Sequence, residues 1–142
     1  MDRTTRAIIQ MECQQVLNKV TNLLDQAQWE ALVTHYTDDA VLFRPSDPNN
    51  GVVGKQAILE SFKARPPKTT AHALVNTEFD IKNETLVVAY SRVWLSSGPA
   101  VESGAANSEG PLMIGSFIDT LEYHHDRWLI KERKGGIELK HA

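Results

Sequence analysis

The hydrophobic positions in the first part of the chain repeat with the period of an α-helix. They are Ile9, Cys13, Val16, Leu17, Val20, Leu23 and Leu24. This i, i+3, i+4, i+7 spacing predicts an amphipathic helix with one buried face.

A second, shorter helix is predicted on the same grounds, with an inward face made of Trp29, Leu32, Val33 and Tyr36. Asp38 and Asp39 are expected to end it, because Asp favours turns and caps over helix interiors.

The next segment alternates between short apolar runs and turn residues. Residues 40–43 predict a short strand, and the Pro-, Asn- and Gly-rich residues 45–52 predict a loop. Gly54 is expected to start a third helix that runs from Lys55 to about Ala64. Pro66 and Pro67 would stop this helix, because proline removes a backbone donor and restricts the residue before it.

From residue 70 onward the pattern becomes that of β-strands. Strands are predicted over residues 70–81, 85–96, 112–123 and 128–139, with a 97–110 loop whose role as a lid is left open. A bulge or bend is expected at Gly135-Gly136. Three helices followed by a curled antiparallel sheet predict an α+β fold. Helices laid across the concave face of such a sheet leave a funnel with an apolar pocket at its blind end.

Composition narrows the class of protein. A chain of 142 residues fits one domain, residues 1–142, and its formal net charge of −3 gives no electrostatic reason to bind nucleic acid or an anionic membrane. Cys13 is the only cysteine and lies on the apolar helix face, where a small core residue is expected. The sequence has no zinc spacing and no nucleotide-binding or nucleophile motif, so neither a metal nor a cofactor is expected. No signal peptide or membrane span is recognised, so a cytoplasmic protein is expected.

Asp119 is the most unusual residue of the strand region. Its strand face is otherwise apolar apart from one tyrosine hydroxyl: Met113, Gly115, Phe117, Leu121 and Tyr123. An ionised carboxylate in such surroundings needs partners or an altered pKa. The pattern favours a cavity wall that includes Phe117, while a structural carboxylate paired with Arg133 or Arg92 is the alternative.

Other side chains suited to ligand contact lie on different elements. His72 lies on the first long strand, where alternation leaves open which face points inward, and an imidazole there can accept or donate a proton. Arg44 is expected at the mouth of the funnel, where it would hold an acidic group or form a rim ion pair. Tyr36 and Asn76 would position a ligand, and Tyr90 would contact either a ligand or a second subunit.

Four segments in order resemble the SnoaL-like family of the nuclear-transport-factor-two-like superfamily, which has a cone-shaped α+β fold. They are the segments 29–41, 51–58, 70–76 and 115–133. The resemblance implies a homodimer formed through the sheet and a metal-free pocket for a small apolar or aromatic ligand. Through scytalone dehydratase it also implies that His72 points into the cone, and Arg133 matches an arginine frequent in the family pattern. Through ketosteroid isomerase it implies that Asp119 donates to an oxyanion; alternatively, Asp119 would orient His72.

The chain also departs from the relatives. Their catalytic carboxylate lies on the early strand, where this chain has Val41-Leu-Phe43 and then Arg44. Two hypotheses follow. In the first, the protein is a metal-free lyase, isomerase or cyclase in which His72 transfers a proton with the help of Asp119. In the second, it is a non-catalytic ligand-binding or dimerising accessory domain, for instance a small subunit that supports an oxygenase.

Overall fold

A computed structural model describes residues 1–141 and contains three helices and six strands. The helices are α1 (Arg3–Asp25), α2 (Trp29–Val33) and α3 (Lys55–Lys63). The strands are β1 (Tyr36–Arg44), β2 (Asp47–Val53), β3 (Lys68–Asn83), β4 (Leu86–Pro99), β5 (Glu109–His124) and β6 (Arg127–His141). All six belong to one sheet with the order β2-β1-β6-β5-β4-β3. The α+β cone predicted from the sequence is confirmed, with β1 parallel to β6 and the other neighbours antiparallel.

The long first helix follows its predicted apolar face. Asp2 caps its N-terminus by accepting a hydrogen bond of 2.7 Å from the backbone N–H of Thr5. The buried residues of α1 include Cys13 and Leu17, both fully shielded from solvent, and they pack with strand residues such as Leu121 and Ile130. Cys13 is therefore a core residue, as predicted, and burial raises the pKa of its thiol to about 12.

Two predictions in the segment between α2 and α3 are wrong. The second helix ends at Val33, so that Tyr36, Asp38 and Asp39 lie in β1 rather than at a helix end. Most of the predicted 45–52 loop is strand β2, which pairs with β1. Both errors have the same cause: β1 is bonded on one side by β2 and on the other by β6, and these pairings outweigh local propensity.

The strands at the end of the chain are longer than predicted. Strand β4 continues to Pro99 and β5 begins at Glu109, so the irregular part of the predicted loop shrinks to residues 100–108. The turn between β5 and β6 is formed by His125 and Asp126, which both have positive φ angles (49° and 66°), as a tight hairpin requires. The irregularity predicted at Gly135-Gly136 lies slightly further along, where Ile114 pairs with residue 139 and Gly115 with residue 137.

None of the helices among residues 1–141 combines the length and the apolar character needed to cross a membrane.

Candidate functional site

A half-open cavity of about 120 Å³ lies between the helices and the concave face of the sheet. It is called the inner cavity because most of its lining residues are buried. Its apolar walls are Val20, Leu24, Leu32, Leu42, Pro45, Phe62, Leu95 and Phe117. Its polar walls are Tyr36, Arg44, Arg65, His72 and Arg133. Of the residues predicted to contact a ligand, Tyr36, Arg44, His72, Phe117 and Arg133 therefore share one cavity.

A second, outer cavity of about 400 Å³ adjoins the first. The two cavities share Leu24, Arg65, His72 and Leu95 as lining residues. The outer cavity is also lined by Asp25, by the Pro66-Pro67 segment and by residues 100 and 101 of the β4–β5 connection. His72 therefore lies at the junction of a small inner chamber and a wider outer one.

His72 forms a close pair with Asp25, the last residue of α1. Its Nδ1 lies 2.6 Å from Oδ1 of Asp25, and its backbone N–H donates to Oδ2 over 2.8 Å. The hydroxyl of Thr70 also donates a hydrogen bond to Oδ1 of Asp25, with a length of 2.8 Å. The side chains of His72 and Asp25 are only 11% and 23% exposed. The carboxylate is thus tied to β3 through three hydrogen bonds, which hold the imidazole in a defined orientation.

The position of Asp25 follows from how α1 ends. Ala27 adopts a left-handed conformation with φ of 55°, its N–H donates to the carbonyl of Leu24, and the N–H of Gln28 donates to the carbonyl of Leu23. These two bonds are those of a Schellman motif, which closes a helix C-terminus. This motif fixes the last turn of α1, which includes Asp25. The carboxylate of Asp25 contacts Thr70 and His72 of β3.

The pair determines which ring nitrogen of His72 carries the proton. Burial alone would raise the pKa of Asp25, but the hydrogen bonds from the His72 ring, the His72 backbone and Thr70 outweigh it and lower that pKa below its ordinary value. An ionised carboxylate only accepts hydrogen bonds, so Nδ1 of His72 carries the proton. In the neutral ring, Nε2 then holds the lone pair, and an imidazole in this form can act as a base.

Asp119 is paired with Arg133 and not with His72. It is completely buried and accepts two hydrogen bonds from Arg133, from Nε at 2.6 Å and from Nη2 at 3.1 Å. The inner cavity is lined by Arg133 but not by Asp119. The prediction that Asp119 orients His72 is therefore wrong, because Asp25 occupies that place. The alternative, a structural carboxylate paired with Arg133, is confirmed.

Arg133 and Tyr36 are the most deeply buried polar residues that line the inner cavity. Arg133 is 3% exposed, and its guanidinium carbon lies 4.0 Å from the centre of the Phe117 ring. Burial lowers the pKa of Arg133, but the charge of Asp119, the nearby Tyr36 and the hydrogen bonds to Asp119 together outweigh it and raise that pKa, so Arg133 stays protonated. Burial also raises the pKa of Tyr36 to about 12, so its hydroxyl remains a hydrogen-bond donor at physiological pH. Together they offer donors to an oxygen or another electronegative atom in the chamber.

Two predicted ligand contacts lie outside the cavity. Strand β3 has a bulge between Val75 and Glu78, where Asn76 adopts a positive φ of 54°. The bulge shifts the alternation by one residue, so Asn76 is exposed instead of facing inward with His72. Tyr90 is 44% exposed on the outer face of β4, so its predicted contact with a ligand in the pocket is also wrong. Arg92, on the same outer face, pairs with Glu138 rather than with Asp119.

Sequence patterns missed two residues of the site, Asp25 and Arg65. Asp25 follows the apolar face of α1 directly, so it looked like an ordinary solvated helix end. Arg65 lies just before the prolines that stop α3. Charged residues are common at helix ends, so Arg65 did not stand out. The only sequence signals that could have assigned Asp25 to the site were the end of α1 at this residue and the presence of a histidine on a strand that packs against the helix. Within the part of the chain that is described, no group of three or more His, Cys, Asp or Glu side chains is arranged to hold a metal ion.

Helices closing the concave face of a curved sheet, around a chamber with a paired histidine, define a cone-shaped α+β pocket protein. The chain belongs to the SnoaL-like domain family, whose model matches residues 6–134. This confirms the resemblance seen in the sequence. No curated protein sequence is significantly similar to the chain.

Solved structures with the same fold include a candidate scytalone dehydratase from Novosphingobium aromaticivorans DSM 12444. It is 19% identical, with a TM-score of 0.82 over 98% of this chain and 90% of that one. A type 2 hexachlorocyclohexane dehydrochlorinase, LinA, is 16% identical, with a TM-score of 0.81 over 98% and 91% of the two chains. A protein from Catenulispora acidiphila is 21% identical, with a TM-score of 0.75 over 95% of each chain. At these identities the likeness is one of fold.

Proposed function

We propose that the protein is a cofactor-free acid–base lyase acting on a small, largely apolar ring compound. The observation that carries the proposal is the Asp25–His72 pair at the junction of the two cavities. A histidine whose Nδ1 is held by a carboxylate presents Nε2 as a general base, and general acid–base catalysis contributes about 10²–10⁴-fold.

The proposed reaction is an elimination. Nε2 of His72 takes a proton from a carbon of the substrate, and the electron pair of that C–H bond forms a carbon–carbon double bond. The leaving group departs from the adjacent carbon with its bonding pair. When the leaving group is hydroxide, the imidazolium returns its proton and water is released.

Negative charge that develops on the substrate needs hydrogen-bond donors in the chamber. Arg133 and Tyr36 are suited to this, because the first stays charged and the second stays protonated. Asp119 acts as a positioning residue in this scheme, since its two hydrogen bonds hold the guanidinium of Arg133. The structural neighbours named as a candidate dehydratase and a dehydrochlorinase make elimination the first reaction class to test.

The test is an elimination assay on cyclic β-hydroxyketones and on hexachlorocyclohexane with three proteins: the wild type, His72→Ala and His124→Ala. His124 is a matched control because it is half exposed near the β5–β6 turn. The proposal expects turnover that His72→Ala reduces at least about 100-fold and that His124→Ala leaves unchanged. Turnover unaffected by His72→Ala contradicts it. Retention of a ligand without His72-dependent turnover instead supports the non-catalytic binding module.

We also propose that the protein forms a homodimer through the outer face of the sheet. Support comes from large apolar side chains exposed there, including Tyr90 at 44% and Trp94 at 49%, since aromatic residues are enriched in interfaces. Trp94→Lys is expected to yield a monomer in light scattering after size exclusion. Val53→Lys is the control, because Val53 is 68% exposed on β2 at the opposite edge of the sheet. A wild type that is monomeric at micromolar concentration contradicts the proposal.

A further inference from the structure

Three arginines line the inner cavity, and only one of them is neutralised. Arg133 is paired with Asp119 through two hydrogen bonds. Within residues 1–141, neither Arg44 nor Arg65 forms an ion pair with a carboxylate. Both are partly buried and line the same small chamber. The chamber therefore holds two positive charges that no protein carboxylate balances.

The charge balance of the whole site is also opposite to that of the chain. The two cavities are lined by one carboxylate, Asp25, and by five cationic side chains, Arg44, Lys63, Arg65, Lys68 and Arg133. Two of the five are paired with carboxylates outside the lining, Arg133 with Asp119 and Lys63 with Glu30, so three remain unpaired within residues 1–141. The chain as a whole carries a formal net charge of −3. Asp25 is committed to His72, so it does not neutralise the arginines. A cleft lined by one sign of charge concentrates ligands of the other sign.

Packing holds the side chain of Arg65 and the backbone segment that carries Arg44. The guanidinium carbon of Arg65 lies 4.6 Å from the centre of the Phe62 ring, and Phe62 is stacked on Trp29 with a centroid distance of 5.1 Å. Arg44 lies where the register of β1 shifts, directly before Pro45. Pro45 packs so closely on Gly135 that a Cβ there would lie 2.7 Å from its ring. A guanidinium that is already packed, like that of Arg65, loses little entropy when it binds a ligand.

Arg44 and Arg65 also lie close enough to affect each other. Burial lowers the pKa of Arg65, and the charge of Arg44 lowers it further. Two like charges in a partly dry chamber repel each other, and an anion between them would remove the repulsion. The planar guanidinium fork matches a carboxylate, which it binds through two parallel hydrogen bonds.

From this arrangement we infer that the ligand of the cavity is a small carboxylate, whose anionic group is bound by Arg44 and Arg65 while its ring faces His72. The inference rests on the proposed function for the role of His72 but not for binding. The size of the inner chamber, about 120 Å³, limits the apolar part to about one ring, since a cavity of about 150 Å³ binds benzene.

The test measures binding by isothermal titration calorimetry with benzoate and with its neutral isostere benzamide. Wild-type protein is expected to bind benzoate at least about tenfold more tightly than benzamide, because hydrogen bonds to a charged group are worth more than neutral ones. Arg44→Met and Arg65→Met are each expected to weaken benzoate binding about tenfold and to leave benzamide binding nearly unchanged. Arg6→Met, on the exposed face of α1, is the control and should change neither affinity.

Equal affinity of the wild type for benzoate and benzamide would overturn the inference, and this comparison needs no variant to fold. Unchanged benzoate binding in both arginine variants would also overturn it. The elimination reaction is tested separately with His72→Ala, which should still bind benzoate. Preference for benzoate without His72-dependent turnover of the neutral compounds or of cyclic β-hydroxy acids therefore counts against the lyase alone. His72-dependent turnover of neutral compounds without a preference for benzoate counts against the carboxylate ligand alone.

Discussion

Nδ1 of His72 lies 2.6 Å from Oδ1 of Asp25, and the two residues are 47 positions apart in the sequence. The contact joins the end of α1 to the start of β3, at the place where the inner and outer cavities meet. It orients the imidazole that we propose as the base, in a chamber whose lining also includes the donors Arg133 and Tyr36. The consequences can be tested residue by residue.

Replacing Asp25 by Asn is expected to reduce turnover about 10²–10⁴-fold, because the amide no longer selects the ring form with the proton on Nδ1. The Michaelis constant should change little, since Asp25 is committed to His72. Steady-state kinetics on whichever substrate the elimination assay identifies provide the measurement. Asp38→Asn is the control, because Asp38 is exposed and pairs only with Lys55. Equal kcat values for wild type and Asp25→Asn would contradict the role assigned to the pair.

The same pair predicts how stability depends on pH. The pKa of Asp25 is lower in the folded protein than its ordinary value of 3.8, so the folded state favours the ionised form. Its contribution is therefore fully present above about pH 4 and is lost as the pH falls toward the lowered pKa. Urea unfolding at pH 7 should show wild type more stable than Asp25→Asn by about 1–3 kcal/mol. The difference should shrink between pH 4 and pH 2.5; a difference that is constant down to pH 2.5 would rule out this linkage.

Asp119 is expected to matter chiefly through Arg133. Asp119→Ala leaves a buried guanidinium without its partner and should lower the free energy of unfolding by about 3–5 kcal/mol. Replacing both residues, as in Asp119→Leu with Arg133→Met, should recover much of this loss, because no unpaired charge remains. Asp80→Ala, which breaks the exposed pair with Lys82, should cost less than about 1 kcal/mol. Chemical denaturation measures all three, and a loss below 1 kcal/mol for Asp119→Ala would argue against a structural ion pair.

The absence of a side chain at Gly135 is expected to be required for the observed position of Arg44, because Pro45 packs against this glycine. A methyl group at Gly135 would lie 2.7 Å from Pro45 and 3.3 Å from Phe117, so Gly135→Ala should displace the segment that carries Arg44. We expect a loss of about 1–3 kcal/mol in stability and weaker binding of benzoate. Gly136→Ala is the matched control on the same strand, since its methyl group would meet only Ser116 at an ordinary 3.6 Å. Similar benzoate affinities for the two alanine variants would show that Arg44 does not depend on this packing.

The sequence predicted the architecture well because hydrophobic periodicity reports which elements pack together. The buried face of α1 and the four long strands follow directly from that periodicity. Strand β2 was missed because its residues have loop composition and their pairing with β1 is a tertiary effect. Local patterns carry no information about such pairings until the partner strand is known.

The site was only partly predictable for related reasons. His72 and Arg133 were found because a family resemblance supplied the inward direction, whereas Asn76 was assigned to the wrong face by an alternation that a bulge interrupts. Asp25 was missed because its significance depends on a contact across 47 residues. The apolar surroundings of Asp119 correctly indicated burial, but they did not decide between a site carboxylate and one paired with Arg133 or Arg92; the structure shows both oxygens bound by Arg133.

The measurement that tests the account most directly is the tautomer of His72. Nitrogen-15 NMR of the imidazole side chains, at a pH high enough for the neutral ring, distinguishes a proton on Nδ1 from one on Nε2, and His72→Ala assigns the signal. We predict the Nδ1–H form in the wild type, with a shift toward a mixture of both forms in Asp25→Asn. A neutral His72 that carries its proton on Nε2 in the wild type would contradict the account, because the nitrogen not bound by Asp25 would then have no lone pair with which to accept a proton.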